Sequence, residues 1–314
     1  MSSARRVVAA GYGGPENLRV EEVTVGGPGT GQVRLSVRAA GVNAYDAKVY
    51  AADGDPAKLP IALGFEAAGV VTAVGDGVSG WSVGDEVIGF RLTGEYASDI
   101  LADQTALTAK PPTLGWADAA GLMLTGATAW HTLVATDVHE RDTVLVHGAA
   151  GGVGLPAVQL ARLRGARVIA TTSPRNETSA DLLRELGAEP VAYGDGLADR
   201  VRALAPDGVD VALDLVGTDE AMDVSLDLVA ERSRIATIAS FDRGPREGVR
   251  VLGNGPGADP GTEIRDAARS ELARLAGAGE LRVVVGSTYR LEDAADAHRQ
   301  IRTGHTTGKL VLLP

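Results

Sequence analysis

Over the first hundred residues apolar and polar positions alternate in short runs broken by glycine. RVVAA, LRVEEV, QVRLSVRAAGV and AAGVVTAVG are separated by GYGGPEN, GGPGTG and GDGVSG. Alternation with period two puts successive side chains on opposite faces, so each run predicts a strand. Short strands punctuated in this way predict a small, closed, mainly antiparallel β structure. GWSVGDEVIGF extends the pattern, with Gly84-Asp85 as a turn between Trp81 and Val87.

After Lys110-Pro111-Pro112 the pattern changes. Residues 116–134 carry helical spacing, and strands then alternate with helices. Strands are predicted at 143–147 (TVLVH), 166–172 (ARVIATT), 208–216 (GVDVALDLV) and 234–240 (RIATIAS), and helices at 153–165, 179–188 and near 219–230. This alternation predicts a parallel, doubly wound α/β sheet. A helix near 262–277 leads to LRVVVGSTY, LEDAADAHRQIRTG and KLVLLP. The chain therefore reads as a β domain over 1–115, a nucleotide-binding domain over 116–260, and a segment over 261–314 that rejoins the β domain.

Composition removes several classes of function. A net charge of −11 opposes nucleic acid, whose phosphates need a basic face. The chain has no cysteine, which removes disulfides, thiolate nucleophiles and cysteine-type zinc sites. The five histidines, at 131, 139, 147, 298 and 305, form no tight ligand pair, so no metal site is expected. No window approaches the roughly 20 apolar residues of a membrane span. The start of the chain has no signal-type apolar block, and a cytoplasmic protein with no membrane partner is expected.

The most informative stretch is VLVHGAAGGVGLPAVQLARLRGARVIATT. Gly148, Ala150, Gly151, Gly152, Val153 and Gly154 form a turn between a buried strand and an apolar helix. Glycine lets the backbone approach a pyrophosphate, and a helix N-terminus offers free N–H groups and a positive dipole end. Strand, turn, helix and second strand within about thirty residues give the turn its nucleotide-binding context. The second strand ends in Thr171-Thr172-Ser173-Pro174-Arg175-Asn176, with no acid before Glu177. Hydroxyls and an arginine at Thr172, Ser173 and Arg175 suit a 2′-phosphate, so NADPH is expected over NADH; Arg175 as a plain surface residue is the alternative. One carboxylate, Glu66, interrupts the apolar run IALGFEAAGV, either to accept backbone N–H groups or for acid–base work; the first is favoured.

With these pieces the chain resembles the medium-chain dehydrogenase/reductase superfamily, and within it the zinc-independent quinone oxidoreductase family to which zeta-crystallin belongs. GQVRLSVRAAGVNAYDAKV, LGFEAAGVVTAVGDGVSGWSVGDEVIG, EYAS, LTGATAW, VHGAAGGVGLPAVQLAR and GHTTGKLVLLP carry the likeness over nearly the whole chain. It implies a GroES-like β catalytic domain joined to a Rossmann domain. It also implies hydride transfer from NADPH to a quinone or an α,β-unsaturated carbonyl. The positions of the catalytic zinc ligands in metal-dependent relatives fall on Asn43, Phe65 and Leu124, none of which builds a zinc shell.

The same resemblance implies a catalytic role for Asn43, in Gly41-Val42-Asn43, with a turn side chain capping backbone as an equal alternative. It implies a place beside the nicotinamide for Thr128, with helix packing as the alternative, and a cofactor contact at Tyr193. Val216 and Gly217 close the LDLVG strand and are expected to line the cleft. Tyr50 is the expected proton donor, although relatives often carry the tyrosine at the position of Lys48. Phe65 and Phe241 are expected as pocket walls or as plain packing. A homodimer formed through the edge of the nucleotide-domain sheet is expected as well. An enoyl-thioester reductase and a non-catalytic NADPH-binding protein remain the alternatives.

Overall fold

The alternating runs of the first hundred residues form strands throughout. In the computed structural model, which describes residues 2–314, they are β1 (Ser2–Ala9), β2 (Leu18–Val25), β3 (Gln32–Val42), β4 (Ile61–Ala62), β5 (Glu66–Val74), β6 (Glu86–Phe90), β7 (Asp99–Asp103) and β8 (Leu107–Ala109). Two short helices, α1 (Ala44–Lys48) and α2 (Trp116–Ala120), accompany them. The middle of the chain is α3 (Met123–Ala135), β9 (Thr143–His147), α4 (Gly154–Leu163), β10 (Arg167–Thr172), α5 (Glu177–Glu185), β11 (Glu189–Ala192) and α6 (Leu197–Leu204). It continues as β12 (Val211–Asp214), α7 (Asp219–Leu228), β13 (Ile235–Thr237), α8 (Gly244–Glu247) and β14 (Arg250–Val251). The chain closes with α9 (Thr262–Gly277), β15 (Val285–Arg290), α10 (Ala294–Arg302) and β16 (Lys309–Leu313).

These elements fall into two units. One comprises the chain up to Leu124 together with Ser270–Pro314, and the other Thr125–Arg269. The divisions lie inside α3 and α9, whereas the sequence pattern places them before Trp116 and Gly261.

In the first unit a seven-stranded sheet runs β15-β16-β3-β5-β6-β8, with β7 also on β3, and a three-stranded sheet runs β2-β1-β4. The C-terminal strand β16 lies antiparallel on β3, pairing Leu310 with Val42 and Leu312 with Ala40. Its core gathers Leu35, Val37, Val71, Val87, Leu310 and Leu312, each buried side chain of this kind contributing about 1.5–3 kcal/mol. The second unit holds six parallel strands in the order β11-β10-β9-β12-β13-β14, a doubly wound sheet with β9 and β12 at its centre. VALD of β12 is buried throughout, as both-face coverage of a parallel sheet requires.

Several bounds differ from the sequence pattern for local reasons. Residues 116–134 divide at Gly121, whose absent side chain makes room for Lys309. Helix α5 begins at Glu177 because the Asn176 side chain accepts the Ser179 N–H at 3.0 Å. The strand β11 and the helix α6 have no counterpart among the predicted elements. Four residues including Pro190 give β11 too short a period to register.

A buried polar chain crosses the first unit. The Tyr50 hydroxyl bonds His298 Nδ1 (2.8 Å), His298 Nε2 bonds the Tyr96 hydroxyl (3.2 Å), and Tyr96 donates to Asp46 Oδ2 (3.0 Å). One direction of donation satisfies all three links and fixes the imidazole with its proton on Nε2. Burial lowers His298 to about 4, so the ring is neutral at physiological pH. Tyr50, the expected proton donor, is fully buried in the core with its hydroxyl on His298, and burial raises its phenol to about 12.

Glu95 is also fully buried, with neither carboxyl oxygen bonded. Burial raises it to about 9, with Asp46 and Glu66 adding to the rise, and Asp46 itself is raised by burial to about 7. The folded chain therefore keeps Glu95 protonated while the unfolded chain ionises above its ordinary value of 4.5. Stability is full below that value and falls as pH rises toward 9. Glu95→Gln is expected to flatten the decline of melting temperature between pH 5 and pH 9, measured by thermal denaturation across that range; an unchanged slope would refute the assignment.

Candidate functional site

Two arrangements carry the candidate residues, one in each unit. In the first unit β3 ends at Val42, and Asn43 opens α1, its backbone N–H bonded to Asp46 Oδ2 at 2.8 Å. Beside it stands Glu66, the first residue of β5, fully buried. Glu66 Oε1 accepts from Lys309 Nζ (2.9 Å) and Asn43 Nδ2 (3.1 Å), and Oε2 accepts the backbone N–H of Leu124 (2.8 Å). Lys309 Nζ also donates to Asn43 Oδ1 and to the Val42 carbonyl. Glu66 thus accepts a backbone N–H, as its sequence context favours, and a lysine the sequence reading did not single out completes the cluster. The GKLVLL ending, an isolated cation leading a buried strand, was the available signal.

Asn43 is committed at both ends. Its Oδ1 takes Lys309, and its amide N–H groups go to Glu66 and to the Gly41 carbonyl (3.3 Å), leaving no free donor for a substrate oxygen. Nor does the cluster suit zinc. Asparagine, phenylalanine and leucine stand at the three ligand positions, and the lysine ammonium already supplies the cation that Glu66 binds. Among the described residues no group of three or more His, Cys, Asp or Glu could hold a metal ion.

Phe65, next to Glu66, makes an edge contact with Tyr45 (centroids 5.2 Å apart) and another with Phe90 (5.9 Å). Tyr45 and Lys48 are exposed on α1. Phe241 belongs to the second unit, where its ring lies over Gly253 and Gly255.

In the second unit the turn from β9 into α4 is shaped by glycine. Gly148 has φ +71°, and the Gly151 N–H bonds its carbonyl at 3.1 Å. A Cβ on Gly154 would lie 2.3 Å from the Gly148 carbonyl oxygen, so only glycine lets α4 begin this close to the turn. Ala150, Gly151, Gly152 and Val153 are half-exposed along it. Thr171, buried on β10 and missing from the sequence candidates, holds the Gly148 N–H with its hydroxyl at 3.2 Å.

At the C-terminal ends of neighbouring strands, Thr172 pairs with Ala192, and the Tyr193 N–H bonds the Thr172 carbonyl at 3.1 Å. This brings Thr172, Ser173 and Tyr193 to one edge of the sheet. Tyr193 is 41% exposed. Arg175 is exposed two residues beyond Ser173, whose hydroxyl accepts its backbone N–H at 3.3 Å.

Val216 and Gly217 follow β12, and Asp214 governs them. Asp214 Oδ1 accepts the N–H groups of Val216 (3.1 Å) and Gly217 (2.7 Å), and Oδ2 accepts the hydroxyls of Thr237 (2.8 Å) and Ser240 (2.9 Å). These last bonds turn the chain out of β13 after Thr237, three residues short of the predicted strand end. His147, beside Asp214 on β9, is buried and held neutral by burial, which lowers it to about 4. Thr128 is buried on α3. Its position yields no catalytic geometry by itself.

The Glu66 cluster yields a stability test. Lys309→Met leaves a buried carboxylate without its cation and is expected to cost about 3–5 kcal/mol in urea denaturation. Adding Glu66→Gln to that variant is expected to recover much of the loss. Equal losses in the single and double variants would show that the ammonium is not neutralising Glu66.

Comparison with known proteins agrees with both units. The alcohol dehydrogenase GroES-like domain family matches residues 29–144, and the zinc-binding dehydrogenase family matches residues 186–312. A quinone oxidoreductase from Pseudomonas aeruginosa is 35% identical, over 99% of this chain and 100% of the relative. A 2-haloacrylate reductase from Burkholderia is 37% identical, over 96% of each. Among solved structures, the Escherichia coli quinone oxidoreductase complexed with NADPH matches with a TM-score of 0.87 and 28% identity, covering 99% of this chain and 100% of that one. Strand order, glycine turn and whole-length similarity coincide, and the chain belongs to the quinone oxidoreductase family of the medium-chain dehydrogenase/reductase superfamily.

Proposed function

We propose that this chain is a zinc-independent NADPH-dependent oxidoreductase that reduces a quinone or a related α,β-unsaturated carbonyl, working as a cytoplasmic homodimer. The observation that carries this reading is the glycine turn. Gly154 admits no side chain against the Gly148 carbonyl, and that tight turn opens α4 with its N–H groups toward the half-exposed loop. These residues fit a dinucleotide diphosphate. Thr172, Ser173, Arg175 and Tyr193 would hold the 2′-phosphate, the second strand ending in hydroxyls and an arginine with no acid before Glu177. Val216 and Gly217 would line the nicotinamide end, with Asp214 fixing their backbone. Pairing between copies would take place at the β14 end of the six-stranded sheet.

The nicotinamide, when bound, supplies the hydride. The chain supplies orientation and an environment of set polarity. Asn43 and Tyr50 are both occupied by internal hydrogen bonds, so neither stands ready as the acid. This favours an acceptor whose reduced form takes its proton from solvent. A hydroquinone anion does so at oxygen without assistance, whereas an enolate needs a proton delivered to carbon. Quinones are accordingly placed ahead of enones and enoyl thioesters.

Steady-state loss of NADPH absorbance with 1,4-benzoquinone, compared with an enone and with NADH, tests the reading. Turnover is expected with the quinone and NADPH, weaker by about tenfold or more with NADH. A protein that retains neither pyridine nucleotide refutes it, and cofactor binding without any acceptor-dependent oxidation would favour a non-catalytic binding protein. Gly154→Val is expected to abolish nucleotide binding by closing the turn. Tyr50→Phe is expected to keep kcat within about threefold while losing about 1–3 kcal/mol of stability from the unpaired His298 nitrogen; a large fall in kcat would restore the tyrosine as proton donor.

A further inference from the structure

Arg200 spends its whole guanidinium on backbone. It lies on α6, and its Nε and Nη2 both donate to the Ala192 carbonyl, at 3.1 and 2.8 Å. Nη2 also donates to the Gly194 carbonyl (2.9 Å) and Nη1 to the Asp195 carbonyl (2.7 Å). From the other side Glu220, in the first turn of α7, accepts the Gly194 N–H at 2.9 Å. The segment so held is Tyr193-Gly194-Asp195-Gly196, in which Gly194 has φ +102° and Gly196 φ +78°. Such a turn has many backbone conformations open to it, and a rigid planar fork that binds three carbonyls at once selects one.

What the clamp fixes is the place of Tyr193. That residue leaves β11 directly beside Thr172 and Ser173, and its ring stands in solvent while the backbone on both sides is pinned. These charge-assisted bonds tie α6 to the turn before it, and in doing so they hold the exposed aromatic in one place. Fixing it in advance removes an ordering cost that a ligand would otherwise bear on binding.

We infer that Arg200, seconded by Glu220, is a positioning residue for cofactor choice: it sets the Tyr193 turn so that this edge of the sheet accepts a nucleotide carrying a 2′-phosphate over one that lacks it. The inference rests on the NADPH reading above. It assigns the preference partly to a side chain that acts through the turn.

Calorimetric binding of NADPH, NADH, 2′,5′-ADP and 5′-AMP to the wild type and to Arg200→Met, Arg200→Lys and Tyr193→Ala tests it. Arg200→Met is expected to weaken NADPH and 2′,5′-ADP about tenfold and to change NADH and 5′-AMP less than about threefold. Arg200→Lys, which keeps the charge but not the fork, is expected to fall between, and it serves if the methionine variant does not fold. In the Tyr193→Ala background, Arg200→Met is expected to have no further effect, as a residue acting through the tyrosine requires. Equal weakening of all four ligands, no change in any, or full additivity with Tyr193→Ala would overturn the inference. A wild type that binds NADPH well while Arg200→Met matches it overturns this inference alone; a wild type that binds neither dinucleotide overturns the function as well.

Discussion

The buried pair of Glu66 and Lys309 ties the first unit together. Lys309 comes from the last strand, Glu66 from β5 and Asn43 from the end of β3, so residues more than 240 positions apart in sequence meet at one point. Two charges removed from water in this way are costly unless every remaining donor and acceptor is used. Here they are nearly all used. Glu66 takes an ammonium, an amide and a backbone N–H, while Lys309 reaches two oxygens besides. The same satisfaction explains why Asn43 has nothing left to offer a substrate.

This cluster also explains how a fold whose relatives include zinc-binding dehydrogenases is completed without metal ligands. The acid that follows the second ligand position, Phe65, is kept and given a lysine as its counter-ion. Its surroundings still demand order, because β3 and β16 must register for Lys309 to arrive, and that pairing joins the C-terminal segment to the β domain. In the second unit Asp214 has a comparable part. One carboxylate takes two backbone N–H groups and two hydroxyls, and so shapes the loops after both β12 and β13.

Much of this was legible in the sequence where period and glycine carry the information. The strand TVLVH was located to the residue, and the glycine turn followed from the strand, helix and strand around it. What escaped was non-local or brief. No spacing rule links Lys309 to Glu66, and the hydroxyl of Thr171 reaches Gly148 only because β10 lies beside β9. Tyr50 looked available because a lone tyrosine near a catalytic-type loop carries no sign of its burial; only the fold puts His298 against it. The four residues of β11, and with them the Arg200 clamp, gave no periodic signal at all.

The supply of nucleophiles in this chain bears on its survival among the compounds it would handle. Quinones and enones arylate and alkylate thiols readily and amines more slowly, and there is no cysteine to attack. Of the lysines at 48, 58, 110 and 309, Lys110 is buried against Glu86 and the Trp116 ring, and Lys309 is locked in the Glu66 cluster. Lys48 and Lys58 remain exposed, and the rest of the cationic surface is arginine, which such electrophiles scarcely touch. A catalyst built in this way offers its own substrates few sites for covalent self-inactivation.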